Sequence, residues 1–171
     1  MHSKIKLLHF APEMHLSPYL KKQSNIDYVS CDIDPKQFPG SIKVDITRIQ
    51  FIDSSFDAVI CIHVLEHIQD DKKAIDELYR IIKPGGWALI VIPVYGDTTL
   101  EIRDLDYNGR EKMYGTGEHM RMNGLDFSKK LTAAGFSVNI VSFDNVQGNY
   151  IDRSIVSPHV ESDKYLFFCE K

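Results

Sequence analysis

The chain has 171 residues, of which 43% are hydrophobic and 26% charged, and we expect a single globular domain over residues 1–171. The formal net charge of -4 and the scattered Lys and Arg residues exclude a dedicated nucleic-acid-binding surface. Every apolar run is far shorter than the roughly 20 residues that cross a bilayer, and no signal peptide is recognisable, so we expect a soluble, cytoplasmic protein.

Compact apolar runs that are typical of buried strands recur through the first part of the chain. They span residues 5–10, 28–31, 42–44, 56–62 and 87–94. A helix is expected at about residues 13–23, although Pro18 delays its start to near Ser17, because proline lacks the amide that a helix interior needs. Residues 35–40 leave room only for an abbreviated connection.

The clearest helix covers residues 70–82, where apolar side chains fall at helical spacing, Asp70 and Asp71 stand at the start, and Pro84-Gly85-Gly86 closes the segment. The remaining elements are one helix and two strands, over residues 124–134, 136–143 and 165–169. This order predicts an α/β fold with a doubly wound, mostly parallel seven-stranded sheet and an antiparallel C-terminal edge strand.

Polar residues follow the predicted strands where each apolar run ends. In an open parallel sheet, ligands bind beyond the carboxyl ends of the strands, where the strand order reverses. Asp32 ends the second strand, and an acidic side chain there can accept hydrogen bonds from two adjacent ribose hydroxyls. Asp34 is a rival for this role, and a turn before Pro35 is the alternative explanation for Asp32.

Two segments carry a family resemblance. Residues 55–67 read Ser-Phe-Asp-Ala-Val-Ile-Cys-Ile-His-Val-Leu-Glu-His, and the helix after them leads to Lys-Pro-Gly-Gly-Trp at 83–87. Together with Asp45-Ile46 and the acidic segment 53–57, they resemble class I S-adenosylmethionine-dependent methyltransferases. The resemblance implies a Rossmann-like fold, S-adenosyl-L-methionine as the cofactor, and a transferase acting on a small-molecule or unidentified acceptor.

The resemblance also implies cofactor-binding residues after the second and third strands. Asp32, with its neighbour Ile33, matches the place of the acid that binds the ribose. Asp45 matches the carboxylate that accepts from the adenine amino group, and the Ile46 amide would donate to the ring beside an apolar side chain. The alternative is that Asp45 merely caps the turn of Thr47.

The first loop departs most from the family pattern, which has an acid at the strand end and then spaced glycines. Here His9 stands in the acidic place, and Ala11 and Glu13 stand where glycines are expected. Because glycine adopts positive φ easily, these residues should narrow or reshape the cleft. Some methyltransferase-like proteins carry such a loop, so Phe10, Ala11, Pro12 and Glu13 are expected to bind cofactor. Glu13 would accept from its ammonium group, or would simply be solvated.

Residues 63–67 match the H-x-x-E-H zinc pattern, which needs both histidines on one helical face. Since His63 directly follows a strand, we expect no metal site and no zinc metallohydrolase. His63 is instead expected to line the cofactor cleft, while Glu66 and His67 stabilise the loop.

Residues 95–123 form a long polar insertion that helps to build the acceptor pocket in the resembling family. Its segment 117–121 resembles a Gly, acid, His, Arg pattern in relatives with the unusual first loop. His119 is the candidate for contacting or deprotonating an acceptor, with Tyr114 and Arg121 as further substrate residues. The alternative is that His119 and Arg121 hold the insertion on the sheet.

The chain starts almost directly at the first strand, so the N-terminal helices that often cover the cofactor in this family are not expected. The cleft is therefore expected to be open, or closed by residues 95–123, by the loop 144–163, or by a second subunit in a homo-oligomer. A non-catalytic module that binds a cofactor or partner on the same fold is the rival function.

Overall fold

The structure is a computed structural model that describes residues 4–143 and 164–171. Its elements form one seven-stranded sheet with helices on both faces. In chain order they are β1 (Ile5–Phe10), α1 (Leu16–Lys21), β2 (Ile26–Asp32), β3 (Ile42–Lys43), β4 (Phe56–Ile62), a 3₁₀ turn (Leu65–His67), α2 (Asp71–Ile81), β5 (Ile82–Val91), α3 (Tyr107–Tyr114), α4 (Phe127–Ala133), β6 (Ser137–Ser142) and β7 (Tyr165–Glu170). The loop expected over residues 144–163 lies outside the described residues.

The strands are ordered β3-β2-β1-β4-β5-β7-β6. Strands β1 to β5 pair in parallel, and β7 runs antiparallel to both β5 and β6. The predicted doubly wound, mostly parallel sheet is confirmed. The C-terminal strand is antiparallel as expected, but β6 occupies the edge in its place, because β7 pairs with β5 on one side and with β6 on the other.

The two faces of the sheet are buried by different helices. Successive strand residues point to opposite faces, so Leu8 of β1 joins the larger buried cluster, with α2 and α4, while Leu7 joins the smaller one, with Leu20 of α1. The same alternation in β4 sends Val59 to the larger cluster and Ala58 to the smaller one. Both faces are thus covered, and ligand access is left to the strand ends.

Helix α2 passes directly into β5. Asp70 caps the helix by accepting from the Lys73 amide at 3.1 Å, and the helix ends at Ile81. The predicted helix is therefore confirmed, whereas β5 begins at Ile82, earlier than the predicted start at residue 87.

Pro84-Gly85-Gly86 consequently lies inside β5, where the register with β4 shifts between Phe56 and Ala58. A Cβ atom on Gly86 would lie 2.6 Å from the Asp57 carbonyl oxygen, so the close approach of the two strands at this bulge requires glycine.

The other element boundaries agree with expectation except in the insertion. Helix α1 begins next to Ser17, and β2 reaches β3 through turns, without a helix. The insertion contains α3, which the sequence analysis did not predict because its apolar residues have little helical periodicity. Asp106 caps α3 through the Gly109 amide, and Gly115 ends it with φ +79°. Within residues 4–143 and 164–171, no helix has the length and apolar character needed to cross a membrane.

Candidate functional site

The sheet reverses its strand order at β1, which lies between β2 and β4. Phe10 at the end of β1 pairs with Cys31 of β2 on one side and with Cys61 of β4 on the other. The loops that follow β1, β2 and β4 therefore begin at one level of the sheet. This edge is where a doubly wound sheet binds its ligand.

Two residues without the freedom of glycine adopt left-handed backbone at this edge. Ala11 has φ +44° after β1, and His63 has φ +52° after β4. The Ala11 amide donates to the Cys31 carbonyl at 2.9 Å, and the His63 amide donates to the Val91 carbonyl at 3.0 Å. Each such conformation costs about 1–2 kcal/mol and is typical of functional sites. Ala11 in the loop after β1 thus has the left-handed backbone conformation that glycine adopts more easily.

His9 is fully buried, with 0% of its surface exposed, and it connects β1 to both flanking segments. Its Nε2 lies 2.7 Å from Glu13 Oε2, and its Nδ1 lies 2.8 Å from the Tyr28 hydroxyl oxygen. The carboxylate must accept, so Nε2–H donates to Glu13 and Nδ1 accepts from the tyrosine. Burial raises the pKa of Tyr28 above its ordinary value, so its hydroxyl is a donor in this bond. Glu13 is the partly exposed end of this network.

The end of β2 holds Asp32 in a turn. Asp32 Oδ1 accepts from the Asp34 amide at 2.7 Å, so the turn role considered in the sequence analysis is present. Only one carboxylate oxygen takes part in this bond. Asp34 in turn accepts from the Lys36 amide at 3.3 Å, and Ile33 between them is 61% exposed.

Asp45 and Ile46, the two predicted residues after β3, lie in different environments. Asp45 is exposed, and its Oδ1 accepts from both the amide and the hydroxyl of Thr47 at 2.8 Å. These bonds lower the pKa of Asp45, with the hydroxyl contributing most. The Ile46 side chain is buried in the main core, which leaves its backbone amide as the group that could meet a ring.

The loop after β4 meets the insertion. Glu66 is 1% exposed, its Oε1 accepts from His63 Nδ1 at 3.2 Å, and its backbone carbonyl accepts from the Met120 amide at 2.8 Å. The rings of His67 and His119 lie edge to face with centroids 5.1 Å apart. Burial is the main cause that lowers the pKa of His119, so its imidazole is neutral at pH 7. The structure thus brings His119 next to the H-x-x-E-H segment.

Tyr114 and Arg121 are both buried and bonded within the protein. The Tyr114 hydroxyl accepts from the Ile102 amide at 2.8 Å. Arg121 is 1% exposed, and four hydrogen bonds occupy its guanidinium. It donates to the carboxylate of Glu101 and to the backbone carbonyls of Leu65, Ile68 and Gln69. This placement favours the alternative that Arg121 holds the insertion on the sheet.

A cavity of about 360 Å³ lies in the insertion, away from the ends of β1 and β2. Its lining includes Glu101, Arg103, Asp104 and Arg110, so it suits a polar occupant. Met120 also lines it, next in sequence to His119. The sheet-end residues remain the better candidates for cofactor contact, because the cavity contains none of them.

Two features of the candidate site were not predicted from the sequence. His9 and Tyr28 form the hydrogen-bond network that holds Glu13. In the sequence, this network was signalled by His9 at a position where the resembling family has an acid. The approach of His119 to Glu66 was also missed, although both belong to short motifs that had been singled out. The ligand roles of all these residues stay predictions.

Known proteins resemble this chain over different parts of its length. Residues 13–90 match the family model described as methyltransferase domain. Demethylmenaquinone methyltransferase of Streptomyces avermitilis is 46% identical over 46 residues, which cover 27% of this chain and 20% of that protein. Mitochondrial arginine-hydroxylase NDUFAF5 of Homo sapiens is 26% identical over 150 residues, covering 80% of this chain and 43% of that protein. The chain thus spans less than half the length of these two relatives.

A solved structure extends the likeness over nearly the whole chain. The S-adenosylmethionine-dependent methyltransferase from Archaeoglobus fulgidus superposes with a TM-score of 0.68 at 16% identity. The match covers 98% of this chain and 86% of that one. At this identity the likeness establishes the shared fold.

Proposed function

We propose that the chain is a class I methyltransferase domain that binds S-adenosyl-L-methionine and transfers the methyl group to an acceptor. One observation carries this proposal. Three carboxylates, those of Glu13, Asp32 and Asp45, stand at or just beyond the carboxyl ends of β1, β2 and β3, which are neighbours in the sheet at its reversal point. The proposed location of the protein is the cytoplasm.

The three carboxylates match the three polar parts of the cofactor in order. Glu13 Oε2 is held by His9, and its other oxygen would accept from the ammonium of the methionine part. Asp32 has one oxygen in the turn and would use the second for the ribose hydroxyls. Asp45 and the Ile46 amide would meet the adenine edge. The left-handed backbone at Ala11 gives the loop after β1 a turn like the one that glycine would form there, while the Cβ atom of Ala11 narrows the cleft.

We assign the acceptor side to the insertion, with His119 as the residue that contacts the acceptor. Methyl transfer needs the nucleophile in line behind the methyl group, and much of the rate comes from positioning. A neutral imidazole suits contact with an acceptor at pH 7, because it can accept a proton or donate a lone pair. Tyr114 and Arg121 would then support this segment from behind without touching the acceptor.

Calorimetric titration tests the cofactor part. S-adenosylmethionine and S-adenosylhomocysteine should each bind with a stoichiometry of one, and failure of both at millimolar concentration would defeat the proposal. Transfer of a labelled methyl group to pools of small hydroxyl, amine and thiol compounds then tests turnover. Binding without turnover in any pool would favour the rival, a non-catalytic module on this fold.

A different chemistry on the same fold is a second candidate. The relative from Homo sapiens that covers 80% of this chain is named an arginine-hydroxylase, so a likeness over this length is shared with a protein of another named activity. Incubation of an arginine-containing peptide with the purified protein, once with S-adenosylmethionine as the methyl donor and once in air with a reductant that supplies the two electrons for hydroxylation by dioxygen, separates the two by mass spectrometry. A gain of one methyl group supports methyl transfer, and a gain of one oxygen supports hydroxylation.

A homo-oligomer that closes the cleft is part of the proposal. Light scattering on the purified protein, with and without S-adenosylhomocysteine, should give more than one chain per particle. A monomer under both conditions would leave the insertion as the proposed cover.

A further inference from the structure

We propose that Glu66, His67 and His119 bind one divalent transition-metal ion of the zinc type. The site joins the loop after β4 to the insertion, beside the proposed cofactor crevice. Its assignment to the acceptor side rests on the proposed function, whereas metal binding itself does not.

The three side chains lie close enough together to hold one ion. One ligand atom from each of the three side chains lies within 4.8 Å of the others. Around a tetrahedral zinc ion with bonds of about 2.1 Å, ligand atoms stand about 3.4 Å apart. A contraction of roughly 1.4 Å at most would therefore complete the site, and side-chain rotation of the two half-buried imidazoles covers such distances.

A buried carboxylate oxygen of this cluster has no hydrogen-bond partner in the described part of the chain. Glu66 Oε2 has no hydrogen-bond partner within residues 4–143 and 164–171, although the side chain is only 1% exposed. An unsatisfied buried polar atom is destabilising, and more so when it is charged. A cation held between this oxygen and the two imidazoles would offset that cost.

The neighbouring bonds prepare the ligands for an ion. His67 Nδ1 lies 3.3 Å from the Glu118 carbonyl oxygen, which can only accept, so the proton sits on Nδ1 and the lone pair on Nε2. Metal-binding histidines usually make this kind of bond with their second nitrogen. His63 donates to Glu66 Oε1 and so orients the carboxylate.

The donor set decides which ion fits. Two imidazoles and one carboxylate are a set that binds zinc and other divalent transition metals, and three protein ligands leave a position for water or substrate. Magnesium prefers an octahedral shell of oxygen atoms, so it should bind far more weakly. With the ion bound, the lone pair of His119 is on the metal, so His119 would act on the acceptor through that ion and not as a free base. The open position would accept an oxygen atom of the acceptor, which makes hydroxyl-bearing acceptors the favoured class.

The sequence motif pointed to a different set. H-x-x-E-H suggests His63, Glu66 and His67, all within one segment, but His63 lies at the end of β4 and bonds to Glu66 as a neighbour. The third ligand comes instead from His119, which the Met120 amide brings close by its bond to the Glu66 carbonyl.

Zinc titration of the full chain, freed of metal by dialysis against a chelator, tests the proposal. Zn²⁺ in competition with a chromophoric chelator should bind with a stoichiometry of one, and Mg²⁺ at the same concentration should not compete. His67→Ala, His119→Ala and Glu66→Gln should each weaken Zn²⁺ at least tenfold, with His15→Ala, an exposed histidine outside the cluster, as the matched control. Thermal unfolding of each variant shows whether it is folded.

Co²⁺ provides a second measurement, since its visible spectrum reports the ligands. Four-coordinate nitrogen and oxygen ligation is expected, without the charge-transfer bands of a thiolate. Zinc binding that is unchanged in His119→Ala, absent in the wild type, or equally reduced in His15→Ala would overturn the proposal. Because no S-adenosylmethionine is present in these titrations, their outcome is independent of whether the cofactor binds.

Discussion

His9 Nε2 lies 2.7 Å from Glu13 Oε2, and this contact joins the buried end of β1 to the loop that follows it. The second ring nitrogen of His9 bonds to the Tyr28 hydroxyl on β2. A fully buried histidine therefore links β1 to β2 and to the loop that carries Glu13. Its consequence is that the shape of the first loop depends on a polar network within the sheet.

Replacing His9 by leucine should destabilise the fold. The Tyr28 hydroxyl and one oxygen of Glu13 would lose their partner, and the free energy of unfolding should fall by about 1–3 kcal/mol. Urea unfolding measures the change. His15→Leu, at an exposed histidine, should stay within about 0.5 kcal/mol of the wild type. Equal effects of both substitutions would contradict the network.

Ala11→Gly should stabilise the protein and leave the cofactor site intact. Left-handed backbone costs alanine about 1–2 kcal/mol, and glycine avoids this cost but loses about 0.5–1 kcal/mol through its more flexible unfolded chain. The net gain is expected to be about 0.5–1 kcal/mol in thermal or urea unfolding. Ala58→Gly, in a buried strand, is the control and should destabilise. A loss of stability in Ala11→Gly would mean that the loop is not strained.

Asp32→Ala should lower the affinity for S-adenosylmethionine at least about tenfold, because hydrogen bonds to a charged group are worth about 1.5–3 kcal/mol each. Asp34→Ala, at the rival residue, should have a smaller effect. Asp27→Ala, at the exposed start of the same strand, should have none. Calorimetry measures all three affinities. A larger loss in Asp34→Ala would transfer the ribose role to that residue.

Arg121→Met should be strongly destabilising, by roughly 3 kcal/mol, since it removes the charge from a buried network and leaves the carbonyls of Leu65, Ile68 and Gln69 without their donor. Arg103→Met, at an exposed arginine of the same insertion, should change stability by less than about 0.5 kcal/mol. Chemical unfolding compares the two. If Arg121→Met unfolds like the wild type but loses methyl transfer, Arg121 binds substrate after all.

Glu77 should contribute to acid sensitivity. Arg80 donates to both oxygens of Glu77 and the Ile49 amide donates to one, and these contacts, the arginine first, lower the pKa of Glu77 below its usual 4.5. A carboxylate with a lowered folded-state pKa stabilises above the unfolded pKa, and that stability is lost as pH falls through the folded value. Glu77→Gln should therefore reduce stability at pH 7 and flatten its decline below about pH 4.5.

Unfolding midpoints between pH 7 and pH 3 check this expectation. Glu111→Gln, on the exposed side of α3, is the matched control and should follow the wild-type curve. A Glu77→Gln curve that runs parallel to the wild type at all pH values would show that the carboxylate is not stabilised by Arg80.

Apolar runs and helical spacing were enough to predict the sheet, because buried parallel strands and amphipathic helices are local patterns. The start of β5 was missed since Gly85 and Gly86 look like a turn in sequence but lie in a bulged strand. The meeting of Glu66 and His119 was missed for another reason. It depends on how a long insertion folds back, and sequence spacing carries no information about such a contact.

The bulge at Gly86 changes the meaning of the Pro-Gly-Gly signature. Its glycine is required because any larger residue would collide with the Asp57 carbonyl of the neighbouring strand. The signature therefore records a condition for assembling β4 and β5, at the end of β4 opposite the loop that contains His63. A sequence search with this signature will therefore find proteins that share the fold. Which of them are enzymes has to be judged from the loops at the opposite end of the strands.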